Sequence, residues 1–389
     1  MRRVLSRLHK QVKYGSGWAF QPDTPGITRA AFSGRSEKGV AMSKIYTRMG
    51  DGSMIEMTEK EVREDIDAGM AEAVENGEVP PLGQDEIDYM VELFKRDDRF
   101  VGVPQGKEVI MTYDAGTLKI KRHSLFEDRV NALAIYERLL GADTMELCHV
   151  DYSYKPLKPI LSYEVGTLEQ ALMVTHAPLF YGAMPNLGLY TQPDGPFPNP
   201  MELLPQGKIK EGRAAYDEMV ESAVADIMFV AEAMWEAGAD GINLDTVGAS
   251  GDPDFKASLL AVERLKAKYP DLPIMMGMAG EFVLGMHGEM YHDGQRLAGM
   301  YPLAQLKTAE KAGVAIFGPV VNTNNTESTP WNLARTVTLI KPASEASGIP
   351  VHANMGMGVG AVPVTDYPPV DIVSRVSRAM VELCKLDGL

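Results

Sequence analysis

A chain of 389 residues, 45% hydrophobic and 23% charged, carries enough apolar content for a large core, which excludes a disordered polymer and suits either one α/β domain with an appendage or two domains. The net charge of −15 argues against nucleic acid as a partner, because phosphates are met by basic surface, and no run approaches the roughly 18 apolar residues of a membrane span. Cys148 and Cys384 are the only cysteines, too few for a disulfide framework, so a reducing cytoplasm is expected.

The charge is unevenly spread. Residues 1–41 hold eight Lys/Arg against Asp23 and Glu37, a balance of +6, which leaves −21 for the rest. This basic, Ser/Gly-rich stretch resembles an organellar transit peptide, or else text upstream of a true start at Met42, and is expected to be poorly ordered. Residues 42–125 read as a small N-terminal α/β cap. Thr58 and Glu61 have the spacing of a capping box, so a helix is expected from there to Asn76-Gly77, and residues 84–95 form a second amphipathic pattern. The runs 109–114 and 117–122 flank Ala115-Gly116 as a short hairpin.

Residues 126–389 change rhythm. After a helical pattern at 130–140 come seven short apolar runs, at 144–150, 159–163, 178–184, 241–246, 273–278, 314–320 and 350–355. None alternates cleanly, as expected of parallel strands buried on both faces. Helical patterns intervene at about 213–237, 255–268, 303–312, 331–347 and 370–386. Two of them end in Ala-Gly, at Gly238 and Gly313, where glycine serves as the left-handed residue before the next strand. Asp387-Gly388 then turns into Leu389 as though a further strand began. The expected fold is a (β/α)8 TIM barrel truncated before its eighth strand and carrying the α/β cap.

Chemistry in such a barrel sits at the carboxyl ends of the strands. Those ends supply Asp151, Tyr152, Tyr181, Met184, Asn186, Asp245, Thr246, Glu281, Asn322, Thr323, Asn324, Asn354 and Met355. Asp245 reads either as a functional carboxylate or as a helix cap. Glu281, among small and apolar neighbours, is expected to have a raised pKa, suiting a general acid or an ammonium ligand, unless it is structural. Glu289 with His287 reads as a functional pair or a solvated one. The loop 322–326 reads as a turn or a substrate contact, and the Gly-rich string 355–361 as a close-packed loop or a weak phosphate loop. No zinc-ligand spacing, Gly-x-Ser-x-Gly or evident nucleophile is present.

Longer strings go further. Gly141-Ala-Asp-Thr-Met-Glu-Leu-Cys-His-Val-Asp-Tyr-Ser-Tyr-Lys-Pro156, Phe180-Tyr-Gly-Ala-Met-Pro-Asn186, Gly277-Met-Ala-Gly-Glu-Phe-Val-Leu-Gly-Met-His-Gly-Glu289, Phe317-Gly-Pro-Val-Val-Asn-Thr-Asn324 and Asn354-Met-Gly-Met-Gly-Val-Gly360 closely resemble the dimethylamine:corrinoid protein methyltransferases of methylamine-using anaerobes, over about residues 42–389. The resemblance implies methyl transfer from dimethylamine to the Co(I) corrinoid of a separate, cognate corrinoid protein during methanogenesis from methylamines, with no cofactor bound directly. The family's pyrrolysine, encoded by an in-frame UAG, follows a segment that Leu386-Asp-Gly-Leu389 matches, so it is expected just after Leu389 and is absent from this chain, whose own activity would then depend on readthrough. Its ring imine would take up the secondary amine and orient one methyl for attack. Their places at strand ends make Glu281 and Asp245 the expected catalytic residues for that reaction. Glu281 could protonate the imine nitrogen or hydrogen-bond the ring amine, and Asp245 could hold the ammonium. Tyr181, Asn322, Asn354 and Met355 are the expected substrate contacts, and no metal is expected. Trimethylamine or monomethylamine as substrate, a non-catalytic fragment binding a corrinoid protein or partner subunit, and an unrelated barrel enzyme stand as alternatives. A cytoplasmic homo-oligomer is expected.

Overall fold

The computed structural model describes residues 44–104, 106, 107 and 109, the backbone of 157–160, and residues 190–389 apart from 194, 240, 286–288, 357, 366 and 367. The chain forms two units, Met1–Ala41 and Met42–Leu389. The first lies outside the described residues, as do the hairpin expected at 109–122 apart from Val109, the helix at 130–140 and the strands at 144–150 and 178–184.

The second unit opens with an antiparallel pair, β1 (Lys44–Arg48) and β2 (Met54–Thr58), in which Lys44 faces Thr58 and Arg48 faces Met54. Asp51-Gly52 turns the chain: Gly52 has φ +87 and the Ser53 N–H donates to Asp51 Oδ1 at 2.8 Å. Helix α1 (Glu59–Gly77) starts on the expected capping box, the Glu61 N–H reaching Thr58 Oγ1 at 3.2 Å and the Thr58 N–H reaching Glu61 Oε2 at 2.6 Å. The left-handed residue at its end is Glu78, not a glycine, because Gly77 stays helical: a Cβ there would meet Leu339. Helix α2 (Gln84–Lys95) follows.

The main sheet runs in the order β3 (Leu157–Ile160), β4 (Gly241–Val247), β5 (Ile274–Met278), then β8 (Ile316–Gly318), with a short hairpin, β6 (Tyr291–His292) and β7 (Gln295–Arg296), lying between β5 and β8 in the chain. β4, β5 and β8 are parallel. Every residue of β5 is buried, which is why its sequence is apolar throughout instead of alternating. Single parallel bridges extend the ladder, from Phe317 to Val351 and from His352 to Gly388. The Ala353 N–H donates to the Gly388 carbonyl at 3.2 Å, and Leu389 is 4% exposed, so the last residues lie buried alongside residues 351–353.

One strand departs from expectation. β3 runs antiparallel to β4, whereas the run beginning at Pro159 was expected to be parallel. A short apolar run without alternation does not encode direction, and the long stretch between β3 and β4 permits either. Pro159 has no N–H to donate to a ladder, which suits the edge position of β3 among the described strands. The described residues thus form a mixed α/β fold with a parallel sheet. The strands expected at 144–150 and 178–184 lie outside the described residues.

Helices α3 (Ile209–Glu236), α4 (Asp252–Lys268), α5 (Pro302–Ala312), α6 (Thr329–Ala346) and α7 (Val370–Cys384) occupy the expected positions between strands. Gly238 and Gly313 have φ +95 and +106, as their place after α3 and α5 requires. One core joins α3, α4 and α5 to β4, β5 and Phe317; a second joins the N-terminal elements to α6, α7, Val351 and Leu389. The cap is therefore packed into the α/β body, and α1 lies so close to α6 that a Cβ on Gly69 would collide with the Trp331 carbonyl. Gly69→Ala is expected to cost about 1–3 kcal/mol by overpacking. A lowered thermal midpoint checks this, and an unchanged midpoint would show that the two helices can part freely.

Candidate active site

The carboxyl end of β4 is irregular. A bulge breaks its register with β5 between Leu244 and Val247, and Thr246 sits at φ +54, a region that a β-branched residue seldom enters. The distortion is held locally: the Thr246 N–H donates to Asp245 Oδ1 at 2.9 Å and Thr246 Oγ1 to the Asp245 carbonyl at 2.7 Å. Such strain persists where surrounding structure imposes it, and it clusters at functional sites. Half-buried Asp245 is thereby turned toward the end of β5, where a Cβ on Gly277 would stand 3.1 Å from its Oδ1. Gly318 abuts Gly277 in turn, a Cβ on it lying 3.1 Å from the Gly277 Cα. Asp245 thus borders a patch of bare backbone.

Just past β5, Glu281 is 7% exposed and both its oxygens are engaged. Oε1 accepts from the Arg335 guanidinium at 2.7 Å, while Oε2 accepts from the Asn322 backbone N–H and from Asn322 Nδ2, each at 3.0 Å. Burial is the largest single influence on this carboxyl and pushes its pKa up, but the Arg335 charge and the hydrogen bonds from Asn322 and Arg335 outweigh it, leaving the group below the usual carboxylate range. The expectation of a raised pKa is therefore corrected. Its immediate sequence neighbours are small and apolar, but the deciding cation lies 54 residues away.

Arg335 is the residue that sequence reasoning missed. Its Nε donates to Glu72 of α1 at 2.6 Å, its other donors to Glu281 and to the Asn322 carbonyl at 3.2 Å, and its guanidinium lies 5.9 Å from the Trp331 ring. The available signal was an arginine inside the buried run Leu333-Ala-Arg-Thr-Val-Thr-Leu-Ile340, since a buried cation requires an acid partner.

The remaining expected residues separate. Asn322 is exposed and shares Glu281 with Arg335, whereas Thr323 and Asn324 serve the turn: Thr323 Oγ1 donates to the Val362 carbonyl at 2.8 Å and Asn324 Oδ1 accepts from the Thr326 N–H at 3.0 Å. Exposed Asn354 and half-buried Met355 follow the single bridges made by Val351 and His352. In the Gly-rich loop the N–H groups of Gly356, Gly358, Val359 and Gly360 donate to the carbonyls of Val359, Pro363, Gly356 and Val321, so the loop is close-packed and does not form an anion cradle. Tyr181, Asp151, Tyr152, Met184 and Asn186 lie outside the described residues, as does His287; Glu289 pairs with Arg213 of α3.

The loop leaving β4 is organised by Asp254, which accepts from the Gly248 and Ser250 N–H groups at 3.1 and 3.3 Å. Burial pushes its carboxyl up from 3.8 to about 7, against the pull of these N–H groups. Because the folded pKa exceeds the unfolded one, the proton this group keeps on folding stabilises the protein most below about pH 4, and that contribution is lost as pH rises toward about 7. Urea unfolding from pH 4.5 to 8 should show Asp254→Asn flattening the decline by about 1.4 kcal/mol per pH unit. Equal slopes would contradict this.

Among the described residues one trio could hold a metal ion, Glu263, His292 and Asp293, whose ligand atoms lie within 4.8 Å of one another. His292 Nε2 is 3.0 Å from Glu263, and Asp293 pairs with Lys311 at 2.6 Å, an ammonium where a metal cation would need open space. The trio belongs to α4 and the β6–β7 hairpin, not to the strand ends. No helix among the described residues is long and apolar enough to cross a membrane.

The sheet thus presents an aspartate beside a strained threonine, a buried glutamate in an ion-pair network and a pair of abutting glycines at the carboxyl ends of adjacent parallel strands. No solved structure matches the chain. The family model for dimethylamine methyltransferase (Dimeth_PyL) matches residues 43–389, and the chain belongs to that enzyme family.

Proposed function

We propose that this protein moves a methyl group from dimethylamine to the Co(I) corrinoid of a separate corrinoid protein, as a step of methanogenesis from methylamines. Family membership over residues 43–389 carries the reading. The corrinoid is the methyl acceptor, brought as a substrate by its own protein. Phe282 and Leu284, 42% and 54% exposed just past Glu281, give apolar surface at the rim for such a partner.

Dimethylamine is a cation at neutral pH, and a small ammonium leaves water only for a carboxylate. We assign that role to Asp245, which borders the bare backbone of Gly277 and, beyond it, Gly318. Glu281, kept ionised by Arg335, accepts hydrogen bonds at the mouth instead of donating a proton, and Asn322, which it holds, offers a polar contact to the amine. Asn354, Met355 and Tyr181 complete the proposed lining.

Rates of corrinoid methylation with dimethylamine, trimethylamine and monomethylamine test the substrate. The proposal expects dimethylamine to give the highest kcat/KM. A higher value for either other amine would move the assignment to that amine.

A further inference from the structure

We propose that Arg335 is a positioning residue: by gripping Glu281 and Asn322 together and tying both to Glu72, it makes α1 of the N-terminal segment part of the machinery at the carboxyl ends of β5 and β8. The inference rests on reading those strand ends as the amine site. Its geometric basis is a single buried guanidinium with three separate acceptors, Glu72 Oε2, Glu281 Oε1 and the Asn322 carbonyl. Glu281 closes the ring by accepting from both the backbone and the side chain of Asn322. A guanidinium can satisfy this arrangement because its donors are fixed in one plane, whereas an ammonium is a point charge that meets fewer of them in place.

The side chains involved are nearly closed to water, 8% exposed for Arg335 and 9% for Glu281, so a shift in one is transmitted to the other and not absorbed by solvent. Among the described residues, the charged and titratable groups around the Glu281 carboxylate are Arg335 from α6, Glu72 from α1 and Tyr301 at the start of α5. Glu72 in turn competes for Arg335 from the solvent side, being 33% exposed. α1 thus adjusts how firmly Arg335 holds the acid and the amide that face the substrate, without touching substrate itself. This network joins residues 72, 281, 322 and 335 from distant segments of the chain.

The test uses Arg335→Lys and Glu72→Gln in the full chain, with Glu281→Gln as reference and circular dichroism to confirm folding. Carboxyl-carbon NMR of glutamate-labelled protein identifies the Glu281 resonance by its loss in Glu281→Gln. The inference expects that resonance to titrate at higher pH in Arg335→Lys than in the parent protein. For methyl transfer from dimethylamine, kcat should fall about tenfold or more in Arg335→Lys, since small misplacements of positioned groups carry effects of this size, while KM changes by less than about twofold. The acid limb of the pH profile should move upward. Glu72→Gln removes a carboxylate that competes for Arg335, so it should shift the Glu281 titration slightly the other way, to lower pH, and lower kcat less than Arg335→Lys does. Adding Arg335→Lys to Glu281→Gln should lower the rate no further, as residues acting through one another are not additive. A folded Arg335→Lys protein with an unchanged Glu281 titration and an unchanged rate would overturn the inference. Parent protein that moves no methyl from dimethylamine would instead remove the methyltransferase reading, and the carboxyl titration would still decide the role of Arg335.

Discussion

Arg335→Met is expected to destabilise the folded chain by about 3–5 kcal/mol near neutral pH, the cost of leaving a buried carboxylate without its cation. The size follows from burial on both sides of the pair, 8% and 9% exposed, where water cannot replace the lost partner. Glu72 contributes less because solvent reaches it. The penalty should depend on pH with a definite sign. In the parent protein the Glu281 pKa is lowered, so the pair stabilises the fold above the ordinary carboxylate range and that contribution is lost as pH falls through the folded value. With Arg335 gone, burial acts on Glu281 against the Asn322 hydrogen bonds without a cation, and the group takes up a proton more readily. The difference between variant and parent should therefore shrink in acid. Combining Arg335→Met with Glu281→Gln should recover part of the loss, since the double variant buries no unpaired charge. Urea unfolding of the three proteins at pH 5 and 7.5 measures all of this. A loss under about 1 kcal/mol, typical of a surface substitution, would mean the pair is solvated.

Asp245→Asn is expected to reduce kcat/KM for dimethylamine by about a hundredfold, on the proposal that its carboxylate holds the ammonium. Removing one partner of a desolvated charge pair costs about 2–5 kcal/mol, and each 1.4 kcal/mol is tenfold. The amide is nearly isosteric, so the Thr246 N–H retains an acceptor and the bulged strand end keeps its shape. Gly277→Ala should act on the same carboxylate by contact, because the new Cβ would lie 3.1 Å from Asp245 Oδ1. It should raise KM while stability changes little. Full activity in Asp245→Asn would reassign the cation site to another carboxylate.

Much of the fold was legible because local chemistry determined it. The Thr58–Glu61 capping box, the glycines after α3 and α5, and the wholly apolar β5 are each decided within a few residues, and each is found where expected. What depended on partners distant in sequence was not legible. The direction of β3 is fixed by pairing with β4, far along the chain. The hairpin of β1 and β2 went unrecognised although Asp51-Gly52 supplies its turn signal. The position of Glu281 at the site was readable from its place after β5, but its ionisation was not, because Asn322 and Arg335 reach it from beyond β8 and from α6. The strain at Thr246 had no sequence signature, since threonine is an ordinary strand residue and its left-handed backbone arises from the bulge.

The most direct test follows the methyl carbon itself. Dimethylamine labelled with 13C in both methyl groups is supplied to the purified protein together with its corrinoid partner reduced to Co(I), and the products are read by NMR. The account predicts one labelled methyl on cobalt for each molecule of monomethylamine released. Intact dimethylamine beside unlabelled cobalt, in the presence of competent Co(I), would contradict it.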